Sequence, residues 1–140
     1  MIGLRKIDVA VIGAGPAGIA AAIGAREEGA ERVVVYERDW EPGGILQQCI
    51  HPGFGMHTFG SDLTGPEYTH RYLQMAADAG VEFITNSMVF QMEKDGSFHV
   101  MNPERGIEHV HPGATVLCMG CRERPAGALP IAGSRPAGIY

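Results

Sequence analysis

The chain has 140 residues, 45% of them hydrophobic and 19% charged, a balance that suits one globular domain with a buried core and excludes a disordered composition. A formal net charge of -5 excludes a basic nucleic-acid-binding surface. No apolar run approaches the roughly 18 residues of a membrane-crossing helix, and the run after Arg5 and Lys6 is broken by Asp8 and then by glycines, which argues against a signal peptide and for a cytoplasmic address.

Ile7 to Ile12 is short, apolar and rich in β-branched residues, which predicts a buried parallel strand despite Asp8. The glycine-rich run Gly13-Ala14-Gly15-Pro16-Ala17-Gly18 follows. Ala17 to Glu28 then predicts a helix, with Pro16 at its start and Gly29 as its stop. Arg32 to Glu37 predicts a second strand, so strand, turn, helix and strand form a βαβ unit. Arg38 to Thr64 carries many turn residues and little periodicity, and such long irregular segments are usually functional. Thr64-Gly65-Pro66-Glu67 opens a helix on which Tyr68, Tyr72, Met75, Ala76 and Ala79 recur at helical spacing before Gly80. Val81 to Thr85 predicts a third strand. Residues 87–112 predict an antiparallel β-meander made of Ser87 to Glu93, Ser97 to Asn102 and Gly106 to His111. Ala114 to Met119 predicts a strand that returns to the parallel sheet. Beyond Gly120 the chain is rich in Pro, Gly and Ala, and Gly133 to Tyr140 closes no predicted element. The fold class expected is α/β, a Rossmann-like three-layer fold with a parallel sheet and an inserted antiparallel β-meander.

A Gly-x-Gly-x-x-Gly alone is weak evidence of a nucleotide site, but here its context is complete. A strand precedes it, a helix follows, and small Ala22 lets that helix lie close to the sheet. Glu37, nineteen residues after Gly18, ends the second strand where a carboxylate can accept from a ribose hydroxyl. Gly13 suits the sharp turn, Gly15 clears the way for a pyrophosphate, and Gly18 permits close helix packing. The helix N-terminus then offers N–H groups and a partial positive charge to the phosphates. Glu37 argues against a 2′-phosphate by charge repulsion, while the fingerprint alone leaves NAD and FAD both open.

The stretches "DVAVIGAGPAGIAAA", "ERDWEPGGILQQC", "LTGPEY" and "GATVLCMGCRERP" resemble the N-terminal FAD segment of the two-dinucleotide-domain flavoproteins, the pyridine nucleotide-disulfide oxidoreductase-like class. More narrowly, "GGILQQCIHPGFG" with "GCRERP" resembles bacterial FAD-dependent oxidoreductases associated with glycerol 3-phosphate metabolism. The resemblance implies that Gly13, Ala14, Gly15, Pro16, Ala17 and Gly18 wrap the FAD pyrophosphate and that Glu37 with Arg38 holds the adenosine ribose. It implies that Gly43, Gly44, Ile45 and Leu46 approach the flavin, that the Val89 backbone meets adenine, and that Met119 and Gly120 form the turn passing the cofactor. It also implies that residues 1–140 are the first FAD segment, without the NAD domain and second FAD segment of the class. In the intact enzyme, hydride would pass between NAD(P)H or a small organic substrate and FAD. Self-association or a complementary chain is expected to cover the remaining sheet edge and apolar surface. The alternatives are a nucleotide-binding module without catalysis and an NAD-dependent dehydrogenase domain.

The class's Cys-x-x-x-x-Cys helix has no counterpart, since Cys49 stands alone in its segment; Cys49 is read as a small packed side chain rather than a redox thiol. Cys118 and Cys121 have dithiol spacing, but zinc needs four ligands and no second pair exists, so they are read as packing and turn residues. His109 and His111 share a face if they lie on a strand, and the reading is a solvent-facing pair with no metal. His51, close to Cys49, is read as polar loop surface. No catalytic residue is assigned.

Overall fold

A computed structural model describes residues 6–122, 124–129, 132, 133 and 137. The elements run β1 (Val9–Ile12), α1 (Pro16–Glu27), β2 (Val33–Tyr36), a 3₁₀ turn over Gly44–Gln48, α2 (Met56–Phe59), α3 (Gly65–Asp78), β3 (Glu82–Ile84), β4 (Met88–Met92), β5 (Phe98–Asn102), β6 (Gly106–Val110), β7 (Ala114–Leu117) and a last 3₁₀ turn over Ala126–Ala128. The parallel sheet has the order β3-β2-β1-β7, and β4-β5-β6 form a separate antiparallel sheet. This is the expected Rossmann-like fold with its meander. The expectation for Gly133 to Tyr140, and Glu123 of the "GCRERP" stretch, fall largely or wholly outside the described residues.

Alternation along the central strands decides the layers. Val11, Val33 and Val35 face Ile19, Ala22 and Ile23 of α1 and Ala76 of α3, forming one buried cluster. Ala10, Ile12, Val34 and Tyr36 face the other way and pack against Phe98 and Val100 of β5. The meander is therefore the third layer, on the sheet face opposite the helices. Phe98 is fully buried and meets the Tyr36 ring edge-on at 5.2 Å, and burial pushes the Tyr36 phenol up to about 12.

The structure adjusts three details. Asp8 does not extend β1; its N–H donates to the Arg32 carbonyl at 3.0 Å and its carboxylate accepts the Arg32 N–H at 2.8 Å, so it clamps the two strand entries. The segment 38–64 holds two short helical turns and a Phe54–Leu63 bridge, elements too brief to leave a periodic signal. Strand β6 ends at Val110, so His111 lies just beyond it.

Asn102 fastens the meander to the parallel sheet. Its amide donates to the Thr85 carbonyl at 3.2 Å and to Ser87 Oγ at 2.8 Å, while its Oδ1 accepts the N–H groups of Glu104 and Arg105 at 2.9 and 3.1 Å. Asn102→Ala removes all four bonds at once, and we expect a loss of about 1–2 kcal/mol, read as a lower urea midpoint at unchanged slope. At the start of α3, Glu67 closes a capping box with Thr64, accepting its N–H and hydroxyl at 2.8 Å each. These two bonds hold the Glu67 carboxyl below its ordinary value. A depressed folded-state pKa means that the contribution is present at neutral pH and is lost as pH falls through that value. Urea midpoints of wild type and Glu67→Gln are expected to differ at neutral pH and to converge in acid.

Candidate dinucleotide site

The site lies where β1 and β2 end and α1 begins. Gly13 leaves β1 at φ +103° and donates its N–H to the Tyr36 carbonyl at 2.8 Å. A β-carbon at Gly13 would stand 2.4 Å from the Cys118 carbonyl oxygen, and one at Gly18 would stand 1.8 Å from the Gly13 carbonyl oxygen. Packing within the protein thus requires both glycines. Gly15 is different: a β-carbon there would meet nothing within 4 Å, and its φ of -73° is open to any residue. What the missing side chain leaves is free space at the N-cap of α1, where no side chain caps the first turn. An uncapped helix N-terminus facing open space is an anion site by its own chemistry.

The loop is gripped from two sides. Glu37, only 6% exposed, accepts the Ala14 N–H on Oε2 at 2.7 Å and the Asp39 N–H on Oε1 at 3.0 Å. A carboxylate has about four lone-pair positions, so roughly two remain for further donors. On the other side the Gly43 N–H donates to the Ala14 carbonyl at 2.7 Å, and a β-carbon at Gly44 would stand 3.1 Å from Gly15 Cα. Gly43, at φ +126°, has no room for a side chain either, because the Thr69 methyl and the Gln47 amide would be 2.8 Å away. The buried Thr69 hydroxyl beneath this turn has no hydrogen-bond partner among the described residues.

Gly13 to Gly18, Glu37, Gly43, Gly44 and the backbone of Met119 are therefore brought together, the last 3.3 Å from a β-carbon placed at Gly13. Among the described residues, no hydrogen bond joins Arg38, Ile45, Val89 or Gly120 to the glycine loop. Pro16 and Ala17 are exposed on the first helical turn. Arg38 is exposed, 3.9 Å from the Asp39 carboxylate; Ile45 is exposed while Leu46 is buried. Val89 packs at the edge of the cluster beneath the meander. Met119 is exposed and Gly120 turns at φ +71°. Sequence reasoning missed the Cys118 carbonyl and Thr69, neither of which carries a motif.

Cys118 packs at the edge of the helix-side cluster, and burial pushes its thiol up, away from the thiolate form. Cys49 donates its thiol to the Ile45 carbonyl at 3.4 Å, and Cys121 is exposed. His51 is exposed, its ring 5.5 Å from that of Phe54. Among the described residues no helix is long and apolar enough to cross a membrane.

The strand order, the glycine loop and the open N-terminus of α1 define a dinucleotide-binding domain. Residues 8–64 match the family described as FAD dependent oxidoreductase. The chain is 38% identical over 104 residues to the glutamate synthase [NADPH] small chain of Azospirillum brasilense, a match covering 74% of this chain and 18% of that protein. It is 26% identical over 134 residues to hydrogen cyanide synthase subunit HcnB of Pseudomonas protegens, covering 89% of this chain and 28% of the relative. The thioredoxin reductase structure from Streptococcus pyogenes superposes with a TM-score of 0.69 at 23% identity, over 87% of this chain and 38% of that one. The chain spans under a third of the length of the curated relatives it matches.

Gly15 and Gly18 make separable predictions. Gly15→Ala is expected to change stability by less than about 1 kcal/mol and to weaken FAD binding, as read by quenching of flavin fluorescence. Gly18→Ala drives a β-carbon into backbone, so its melting temperature is expected to drop whether or not FAD is present.

Proposed function

We propose that this chain is the first FAD segment of a flavin enzyme that moves hydride between NAD(P)H, or a small organic substrate, and FAD. The observation that supports the reading is the open space at Gly15: the protein fills the volume beside Gly13 and Gly18 and leaves that beside Gly15 open. In this reading the pyrophosphate lies against Gly13 to Gly18, receiving the first-turn N–H groups of α1. Glu37 offers its remaining lone pairs to the adenosine ribose, with Arg38 beside it. Gly43 and Gly44, with Ile45 and the backbone of Leu46, carry the wall toward the flavin, and Val89, Met119 and Gly120 complete the adenine and central contacts.

When bound, FAD supplies the hydride chemistry, and the protein supplies binding, orientation and electrostatics. What this segment contributes follows from its bonds. The Ala14 peptide is held by Glu37 on its N–H and by Gly43 on its carbonyl, so the phosphate wall keeps its shape before the ligand arrives. A preorganised wall lowers the ordering cost of binding. Glu37 also selects, since its buried carboxylate repels a 2′-phosphate at this position.

The resemblance to enzymes of glycerol 3-phosphate metabolism rests on loop motifs alone, so the substrate is assigned only as a hydride donor or acceptor of nicotinamide or small organic type. Coverage of 38% of the thioredoxin reductase chain fits a first segment that needs further protein to enclose the flavin. A cytoplasmic enzyme that self-associates, or pairs with a complementary chain, is consistent with this incompleteness.

The purified chain, incubated with FAD and freed of excess by gel filtration, is expected to retain a visible flavin spectrum. Added NAD is expected to leave that spectrum in place. A colourless protein after this treatment, or displacement of flavin by stoichiometric NAD, overturns the assignment.

A further inference from the structure

The meander carries a histidine cluster that the dinucleotide site does not use. His99 on β5 and His109 on β6 are register partners on the face opposite Phe98 and Val100. Their rings stack at 4.1 Å with 10° between planes, and the His111 ring lies 4.0 Å from that of His109. From the sequence, only the spacing of His109 and His111 is visible; strand pairing adds the third imidazole.

The hydrogen bonds fix how these rings present their nitrogens. Ser97 Oγ donates its single proton to Asp95 Oδ1 at 2.7 Å, so toward His109 Nε2, at 3.1 Å, it is an acceptor. His109 therefore carries its proton on Nε2, and its Nδ1 lone pair faces His111 Nε2 at 3.2 Å. A metal-binding histidine is commonly oriented in this way, through its other ring nitrogen. The spacing also fits: two nitrogens bound tetrahedrally to zinc at about 2.0–2.1 Å stand about 3.3 Å apart. His99 Nε2 lies 3.7 Å from Glu93 Oε1, which puts a third imidazole and a carboxylate beside the pair. Among the described residues no three donors yet converge on one point. Closure takes rotation of the exposed His111 ring and a turn of His99, whose side chain is 28% exposed, away from Glu93.

We propose that His99, His109 and His111 form a site for one borderline divalent transition-metal ion, of the Zn²⁺, Ni²⁺ or Cu²⁺ class, with Asp95 and Ser97 orienting His109. The ion takes the place of the proton between His109 Nδ1 and His111 Nε2. That proton moves through solvent to His111 Nδ1, leaving both rings neutral. Imidazole donors favour these ions over Mg²⁺ or Ca²⁺, and the carboxylates of Glu93 and Asp95 add favourable charge. The inference is independent of FAD binding.

The test is calorimetric titration of the untagged chain with ZnCl₂ and with NiCl₂, in the presence and absence of FAD. One ion per chain is expected. His109→Ala and His111→Ala are each expected to weaken binding by at least about tenfold, and Ser97→Ala, which removes only the orienting group, by about tenfold. His70→Ala on α3 and Cys121→Ser are expected to bind as wild type. His111 lies outside the strand, so its variant reports even if His109→Ala impairs folding, which circular dichroism checks. No binding, several weak sites, wild-type binding by His111→Ala, or loss of binding in Cys121→Ser each overturns the proposal.

Discussion

Everything at the functional end of this molecule depends on how closely α1 lies against β1. The Gly18 α-carbon sits so near the Gly13 carbonyl that a methyl group would reach within 1.8 Å of its oxygen, and the Cys118 carbonyl closes on Gly13 from β7. The ends of β1, α1 and β7 therefore meet backbone against backbone, with the Cys118 side chain beside Gly18. That contact places the first turn of α1 at the C-terminal edge of the sheet and directs its N–H groups outward. The same close packing seats Ile19 and Ala22 on the sheet, both with no exposed surface.

The two faces of the sheet serve different ends. The helix side is apolar throughout and carries most of the burial, through valines of β1 and β2 against α1 and α3. The meander side combines an aromatic contact, Phe98 on Tyr36, with a polar clasp at Asn102. Burying Phe98 fully while leaving Met88, Phe90, Met101 and Ile107 exposed shows that the meander has an inner face committed to this sheet and an outer face that is not. The clasp matters because its bonds to Thr85 and Ser87 are directional and tie β5 to the link between β3 and β4.

Legibility in the sequence followed the length and regularity of each signal. The βαβ unit was readable because glycine spacing, an alanine-rich helix and β-branched runs agree over residues 7–37. The meander was readable from turn residues at Lys94-Asp95-Gly96 and Pro103-Glu104-Arg105. The helical turns within 38–64 were not, since four or five residues cannot display a period. Asp8 appeared as an interruption of β1, when its carboxylate is what joins the two strand entries. At the site, the motif located the glycines and suggested a role for each, but not the atoms that enforce it. The Cys118 carbonyl that crowds Gly13 and the Thr69 methyl that crowds Gly43 are distant in sequence and carry no motif. The histidine cluster was half visible, because a pair two residues apart is a local pattern while its cross-strand partner depends on register.

The grip on Ala14 has a mechanical meaning. A loop whose Ala14 is already bonded at both its N–H and its carbonyl is held at that residue when the ligand departs, and the first-turn N–H groups of α1 return to water. The empty pocket wall and the filled one are then nearly the same object. Loss of cofactor becomes an emptying rather than an unravelling, so the segment can be stripped and reloaded as a scaffold that keeps its shape.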